Sequence, residues 1–214
     1  MVRFRPERRY LIAGTIGSFA TMAAVKAPLA AALPATPRQS AGPFYPNVLP
    51  LDRDNDLVRV QGQAARAIGE IAHVFGRVVD TAGMPLSGAR VEIWQCDANG
   101  RYIHTSDARR GGRDENFQGY GVAVTAADGA YRFRTIRPVP YGSRTPHIHF
   151  AVRGRGFDPL VTQMYIAGEP RNDRDFLYRR IGGPERQRLL TVDLRPRPDL
   201  EADALGGQFD IVLG

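Results

Sequence analysis

His147 and His149 are separated by a single residue in the stretch Tyr141-Gly-Ser-Arg144-Thr-Pro-His147-Ile-His149-Phe150. Along a β-strand, residues i and i+2 point to the same face. Two imidazoles on one face can share a metal ion, and the chain has only four histidines. With Tyr102 and Tyr141 upstream, the set reads as a two-tyrosine, two-histidine iron site. A phenol loses its proton near pH ~10 in water. It becomes a ligand at neutral pH only against a strongly Lewis-acidic ion. Ferric iron suits two phenolates, two imidazoles and a hydroxide, because the charges then cancel. Zinc more often takes histidine, cysteine or carboxylate, and copper or manganese stay open. The His-x-His pair by itself is a weak signal: a surface pair or a hydrogen-bonded core pair leaves the same trace.

The remaining reactive side chains read more plainly. Cys96 is the only cysteine, so no internal disulfide forms. It reads as a small buried residue beside Trp94. His73, at the start of a strand, and His104, at a loop entry, read as structural or solvent-facing. Arg144 reads, on residues alone, as a surface salt bridge. Asp128-Gly129 reads as a hairpin turn.

The elements that must position these residues are short strands. Ile71 to Val79 and Ala89 to Gln95 are candidates, separated by a turn at Asp80 to Gly83. Gly121 to Thr125, Ala130 to Ile136, Pro146 to Arg153, Leu160 to Ala167 and Phe209 to Leu213 follow the same pattern. Asp97 to Gly100 is a turn, and residues 105–119, rich in Arg, Asp and Gly, are a long loop. A polar helix is expected at Asp173 to Ile181 or Glu185 to Leu190. Residues 36–46 hold three prolines and a glycine, which exclude a helix. Short strands with a turn every ten residues or so predict an all-β fold, an antiparallel β-sandwich with long loops and an extended N-terminal arm. The expected division is an export signal over 1–35, arm and connection over 36–70, and a β-sandwich catalytic domain over 71–214.

The length of 214 residues and 43% hydrophobic content suit one ordinary domain. The net charge is +7, but residues 1–35 carry five bases against one acid. The rest holds 24 bases against 21 acids. No basic run interleaved with aromatics occurs, so nucleic acid is not an expected partner. Arg8-Arg9 followed by an apolar stretch and the small residues up to Ala35 has the form of a secretory signal. It resembles the twin-arginine type, with cleavage expected near Ala32 or Ala35. That predicts a periplasmic or secreted protein with no stable membrane span after cleavage.

Several segments together resemble the intradiol ring-cleavage dioxygenases, the family of catechol and protocatechuate 3,4-dioxygenases. They are Thr36 to Pro46, Gly76 to Asp80, Val91 to Tyr102, Thr125 to Pro138, Arg144 to His149, and Thr162-Gln163-Met-Tyr165. The resemblance covers roughly residues 36–167. It implies that Tyr102, Tyr141, His147 and His149 hold Fe(III), with Tyr102 and His147 equatorial and Tyr141 and His149 axial. It implies a catecholic substrate, O2 as co-substrate, and a cis,cis-muconate-type product. Tyr141 would take a substrate proton, Arg144 would stabilise charge on a ring carbon, and Gln163 would neighbour the oxygen pocket. Pro43, Phe44 and Arg101 would line the substrate cavity. His147 lies only six positions after Tyr141, and Gly142-Ser143 replaces the family's aromatic insertion, which implies a more open pocket. The competing expectation is a non-catalytic, transthyretin-like β-sandwich binding module, since motifs such as Gly76-Arg-Val-Val-Asp80 suit either.

Overall fold

The computed structural model describes residues 31–108 and 111–214, so most of the expected export signal lies outside the described residues. Ten strands are present there: β1 (Ile71–Asp80), β2 (Arg90–Trp94), β3 (Tyr120–Val124), β4 (Ala130–Ile136), β5 (His147–Arg153), β6 (Leu160–Ile166), β7 (Thr191–Val192), β8 (Arg195–Pro196), β9 (Leu205–Gln208) and β10 (Ile211–Leu213). Strands β1 to β6 match the sequence expectation within one residue at each end. Both helix candidates form as single turns, α1 (Phe176–Arg179) and α2 (Pro184–Arg188), after a 3-10 turn at Pro170–Arg174. No helix among the described residues is long and apolar enough to cross a membrane.

The strands make two five-stranded sheets, β3-β2-β5-β6-β7 and one built on β1 with β4, β8, β9 and β10. The sandwich is as expected, but both sheets are mixed rather than purely antiparallel. β1 pairs in parallel with β9 and β10, and β6 pairs in parallel with β7. β9 and β10 keep one register along β1, interrupted at Phe209–Asp210. There the Asp210 carboxylate, not a backbone carbonyl, accepts from Arg77 N at 2.9 Å. Gly76 is required at this crossing, because a Cβ there would lie 2.1 Å from the Phe209 carbonyl oxygen.

The main core lies between the sheets. Val74, Val78 and Phe133 of one sheet meet Ile93, Ile148, Phe150 and Met164 of the other. Phe150 packs against Phe209 with ring centroids 4.9 Å apart. Strand alternation then sends His147, His149 and Ala151 to the opposite, outer face of β5. That face would be solvated in a simple sandwich. Here the N-terminal arm covers it, making a second apolar cluster of Trp94, Cys96, Tyr102, Tyr120 and Ala151 with Ala41, Phe44 and Tyr141 packed against it. The arm is tied down by its backbone: Thr36 N donates to Val212 O at 3.0 Å and Gln39 N to Val161 O at 2.8 Å. Cys96 is buried in this cluster, as expected.

Candidate metal centre

The site is built on one row of paired residues across three strands. Trp94 of β2 and Gln163 of β6 are the register partners of His149, and Tyr165 is that of His147. Cross-strand neighbours of this kind touch on the shared face. The Trp94 indole stacks on the His149 ring, 4.8 Å between centroids and 6° from parallel. His147 and His149 are both 1% exposed, and their Nε2 atoms face one another at 3.2 Å.

Two loops bring the phenols to the imidazoles. After β2, the Asp97 carboxylate accepts from Asn99 N and Arg101 N, each at 2.9 Å, and folds the chain back. Asp107 then accepts from Tyr102 N at 2.7 Å. The Tyr102 ring lies 5.1 Å from Tyr141 and 5.9 Å from His149. Tyr141 reaches the site on a tight turn, where Arg144 N donates to Tyr141 O at 2.9 Å. Gly142 occupies the left-handed region at φ 51°, where a residue without Cβ is favoured. The Tyr141 ring lies 5.4 Å from His147. All four expected ligands therefore converge, although they come from three separate parts of the chain.

Burial sets the protonation states. His147 donates from Nδ1 to Thr145 O at 2.6 Å, which leaves Nε2 with its lone pair. Burial, and after it the Arg144 cation, pushes the His147 pKa down to about 3. Burial likewise holds His149 well below its ordinary value, with His147 and Arg144 adding to the effect. Both imidazoles are neutral donors at neutral pH. Burial raises the Tyr102 phenol well above its usual range. The described residues contain no group of three or more His, Cys, Asp or Glu placed to hold a metal ion, so the candidate donor set is two imidazoles and two phenols.

Arg144 is not a surface residue. Its side chain is 9% exposed and its Nε donates to Asp175 Oδ2 at 2.7 Å. Its Nη2 donates to Gln163 Oε1 at 2.6 Å. Burial alone would lower the Arg144 pKa, but the Asp175 carboxylate outweighs it and the pKa is raised. Gln163 also donates from Nε2 to Ser40 O at 2.7 Å, which ties the arm to the site.

The expected cavity residues divide. Phe44 stacks on Tyr102 at 5.2 Å and meets Tyr141 edge-on at 6.2 Å. Pro43, beside it, is exposed. The Arg101 guanidinium is directed away, onto the carbonyls of Asp107 and Gly111 in the long loop. It lines an outer groove of about 410 Å³ behind Tyr102, together with Val48, Leu49 and Arg113. The other two histidines fit their expected roles. His73 bridges Glu201 and Arg132 at 3.0 Å each, and His104 accepts from Ser106 N at 3.1 Å. Sequence reading gave no role to Asp175, or to Tyr165 beyond its place in a segment that carries the resemblance. Asp175 carries an N-cap signal, an aspartate before Phe-Leu-Tyr, but nothing local marks it as the partner of Arg144.

A family model described as Dioxygenase matches residues 40–214. The beta chain of protocatechuate 3,4-dioxygenase from Burkholderia cepacia is 39% identical over 168 residues, covering 75% of this chain and 71% of that one. Catechol 1,2-dioxygenase from Acinetobacter baylyi is 30% identical over 190 residues, covering 78% of this chain but 56% of that one. Among solved structures, the dioxygenase domain of a dioxygenase carbohydrate-binding protein fusion from Streptomyces sp. SirexAA-E superposes with a TM-score of 0.65 at 32% identity. That match covers 84% of this chain and 98% of that domain.

Proposed function

The chain belongs to the intradiol ring-cleavage dioxygenase family, and from that premise we propose that it opens a catechol-type ring with O2 at a ferric centre. The bond broken joins the two oxygen-bearing carbons. Both atoms of O2 enter the product, a cis,cis-muconate-type dicarboxylate. The single observation that carries this reading is the convergence of Tyr102, Tyr141, His147 and His149 on one buried face.

The donor set fits ferric iron. Two neutral imidazole nitrogens 3.2 Å apart and two phenols, with no thiolate or carboxylate cluster among the described residues, suit a hard, strongly acidic ion better than zinc. The chemistry supplied by the bound ion is withdrawal of electron density from a catecholate, which opens the ring to O2. The rest belongs to the protein. Tyr141, half-buried at the edge of the set, would be a phenolate when it holds the ion, and its phenolate oxygen would then take a proton from a substrate hydroxyl and become a neutral phenol. Arg144, locked between Asp175 and Gln163, presents a fixed cation to negative charge developing on the ring. A preorganised charge in a dry site is more effective than one that must reorient. Phe44 and Trp94 wall the site against water. The exposed Gly142 and Ser143 leave one side open, which supports catechols with ring substituents as substrates. Export by the twin-arginine route is proposed on Arg8-Arg9 and the apolar stretch after it, and cell fractionation tests it.

Oxygen uptake with a panel of catechols, with products identified, tests the activity. The iron-loaded protein is expected to be purple-red from phenolate-to-iron charge transfer. Tyr141→Phe should slow turnover and shift the colour. A colourless wild-type protein with stoichiometric zinc, or a Tyr141→Phe variant with normal turnover and spectrum, defeats the reading.

A further inference from the structure

We propose that Asp175 is a positioning residue whose one carboxylate holds both Arg144 and His147 in place. The inference rests on the proposed function, since it assigns Arg144 to the substrate and His147 to the metal.

The two oxygens of Asp175 do different jobs. Oδ1 accepts from Leu177 N and Tyr178 N, each at 3.0 Å, and so caps α1. Oδ2 is not needed for the cap. It accepts from Arg144 Nε at 2.7 Å and from Thr145 N at 2.9 Å. An asparagine caps a helix as well as aspartate does, but its amide nitrogen would present hydrogens to both of these donors. The geometry therefore calls for a carboxylate. Its side chain is 0% exposed, where a charge persists only with such partners. Burial alone would raise its pKa; the Tyr178 and Thr145 N–H groups and Arg144 together hold it below the usual carboxylate range.

The second link runs through Thr145, the residue between Arg144 and Pro146. Asp175 holds its N–H, and Asn172 Oδ1 accepts from its hydroxyl at 2.8 Å. Its carbonyl accepts from His147 Nδ1 at 2.6 Å. The backbone that selects the His147 tautomer is thus anchored to the same short segment that orients Arg144. Groups behind a metal-binding histidine commonly fix its tautomer and ring orientation. Gln163 accepts from a second nitrogen of the guanidinium, Nη2, so Asp175 and Gln163 fix its plane together.

The test uses the full-length, iron-loaded chain. Asp175→Asn keeps the cap and the volume. Its kcat for oxygen uptake is expected to fall on the order of 100-fold, with KM changed by less than about threefold. Iron retention against a chelator is expected to fall on the order of 10–100-fold. Because Asp175 acts through Arg144, adding Asp175→Asn to Arg144→Gln should lower kcat little further. This double variant removes both buried charges and so remains measurable if the single variant misfolds. It should still lose iron faster than Arg144→Gln, through the Thr145 link. Nitrogen NMR of the metal-free chain gives a readout independent of turnover: His147 holds one tautomer in the wild type and a mixture in Asp175→Asn. Fully additive losses in kcat, or an unchanged tautomer with unchanged iron retention, overturn the proposal. A wild type inactive on every catechol overturns the functional reading instead, while the tautomer still decides the role of Asp175.

Discussion

Gln163 makes three polar contacts from one amide, and this economy makes it sensitive to substitution. Its Oε1 accepts from Arg144 Nη2 at 2.6 Å and lies 3.0 Å from the Tyr165 hydroxyl. The same hydroxyl also lies 3.1 Å from Gln39 Oε1, so it has a second acceptor within reach. Gln163 Nε2 donates to Ser40 O, and the side chain stands in the row with Trp94 and His149. Replacing it with leucine removes the acceptor for a buried cation and the donor for the carbonyl of Ser40, an exposed residue. A buried group left without its partner costs about 1–3 kcal/mol, and here that cost falls on the Arg144 Nη2 group. Gln163→Leu is therefore expected to lower the urea midpoint and to cut kcat. Gln163→Glu keeps the acceptor and gives Arg144 a second anion, so its Arg144 should stay in place while the arm contact at Ser40 weakens. Urea titration and oxygen uptake on the two variants separate these effects; equal losses in both would show that Arg144 does not depend on this residue.

The strands carry the site, and their legibility follows from how each is patterned. β1, β4 and β5 have β-branched or alternating residues bounded by turn signals, so their bounds are readable from local sequence. The His147-x-His149 spacing is readable for the same reason. β9 is hidden because its core is Gly206-Gly207, which has low strand propensity. Those glycines answer to a packing constraint no local pattern reveals: a Cβ at Gly207 would lie 2.4 Å from Val192 Cγ1. The parallel pairing of β1 with β9 and β10 is equally invisible, because it joins segments about 130 residues apart. Asp175 is hidden as a partner of Arg144 on the same ground, whereas the cavity role expected of Arg101 rests on the family resemblance alone. A prediction belongs to the β1 crossing. Gly76→Ala forces a methyl group into the Phe209 carbonyl, and overpacking against backbone should cost about 3 kcal/mol or more. Thermal unfolding measures it, and a melting temperature within about 2 °C of wild type would show that β9 and β10 can shift away from β1.

At the scale of the whole molecule, one exposed-face cluster joins parts of the chain that the core alone does not connect. Arg134 of β4 pairs with Glu201, at 2.7 Å, and with Asp56 of the polar connection, at 3.1 Å. His73 of β1 lies 3.0 Å from the same Glu201 carboxylate. Arg132 donates to His73 Nδ1, so Nε2 carries the proton and His73 is neutral. Chiefly through Arg134, the Glu201 pKa is held down to about 2. A carboxyl whose folded pKa is depressed stabilises the fold above its unfolded value, and that contribution is lost as pH falls toward the folded pKa. The window for Glu201 therefore runs from about 4.5 down to about 2. Its side chain is 28% exposed, so solvent screening reduces the contribution to about 1–2 kcal/mol. Wild type is expected to exceed Glu201→Gln by that amount at pH 7, with the gap closing across this window. Urea unfolding of both proteins at pH 7, 4.5, 3 and 2 checks it. A gap that persists undiminished at pH 2 would mean that the Glu201 charge is not what ties the connection, β1 and β4 together.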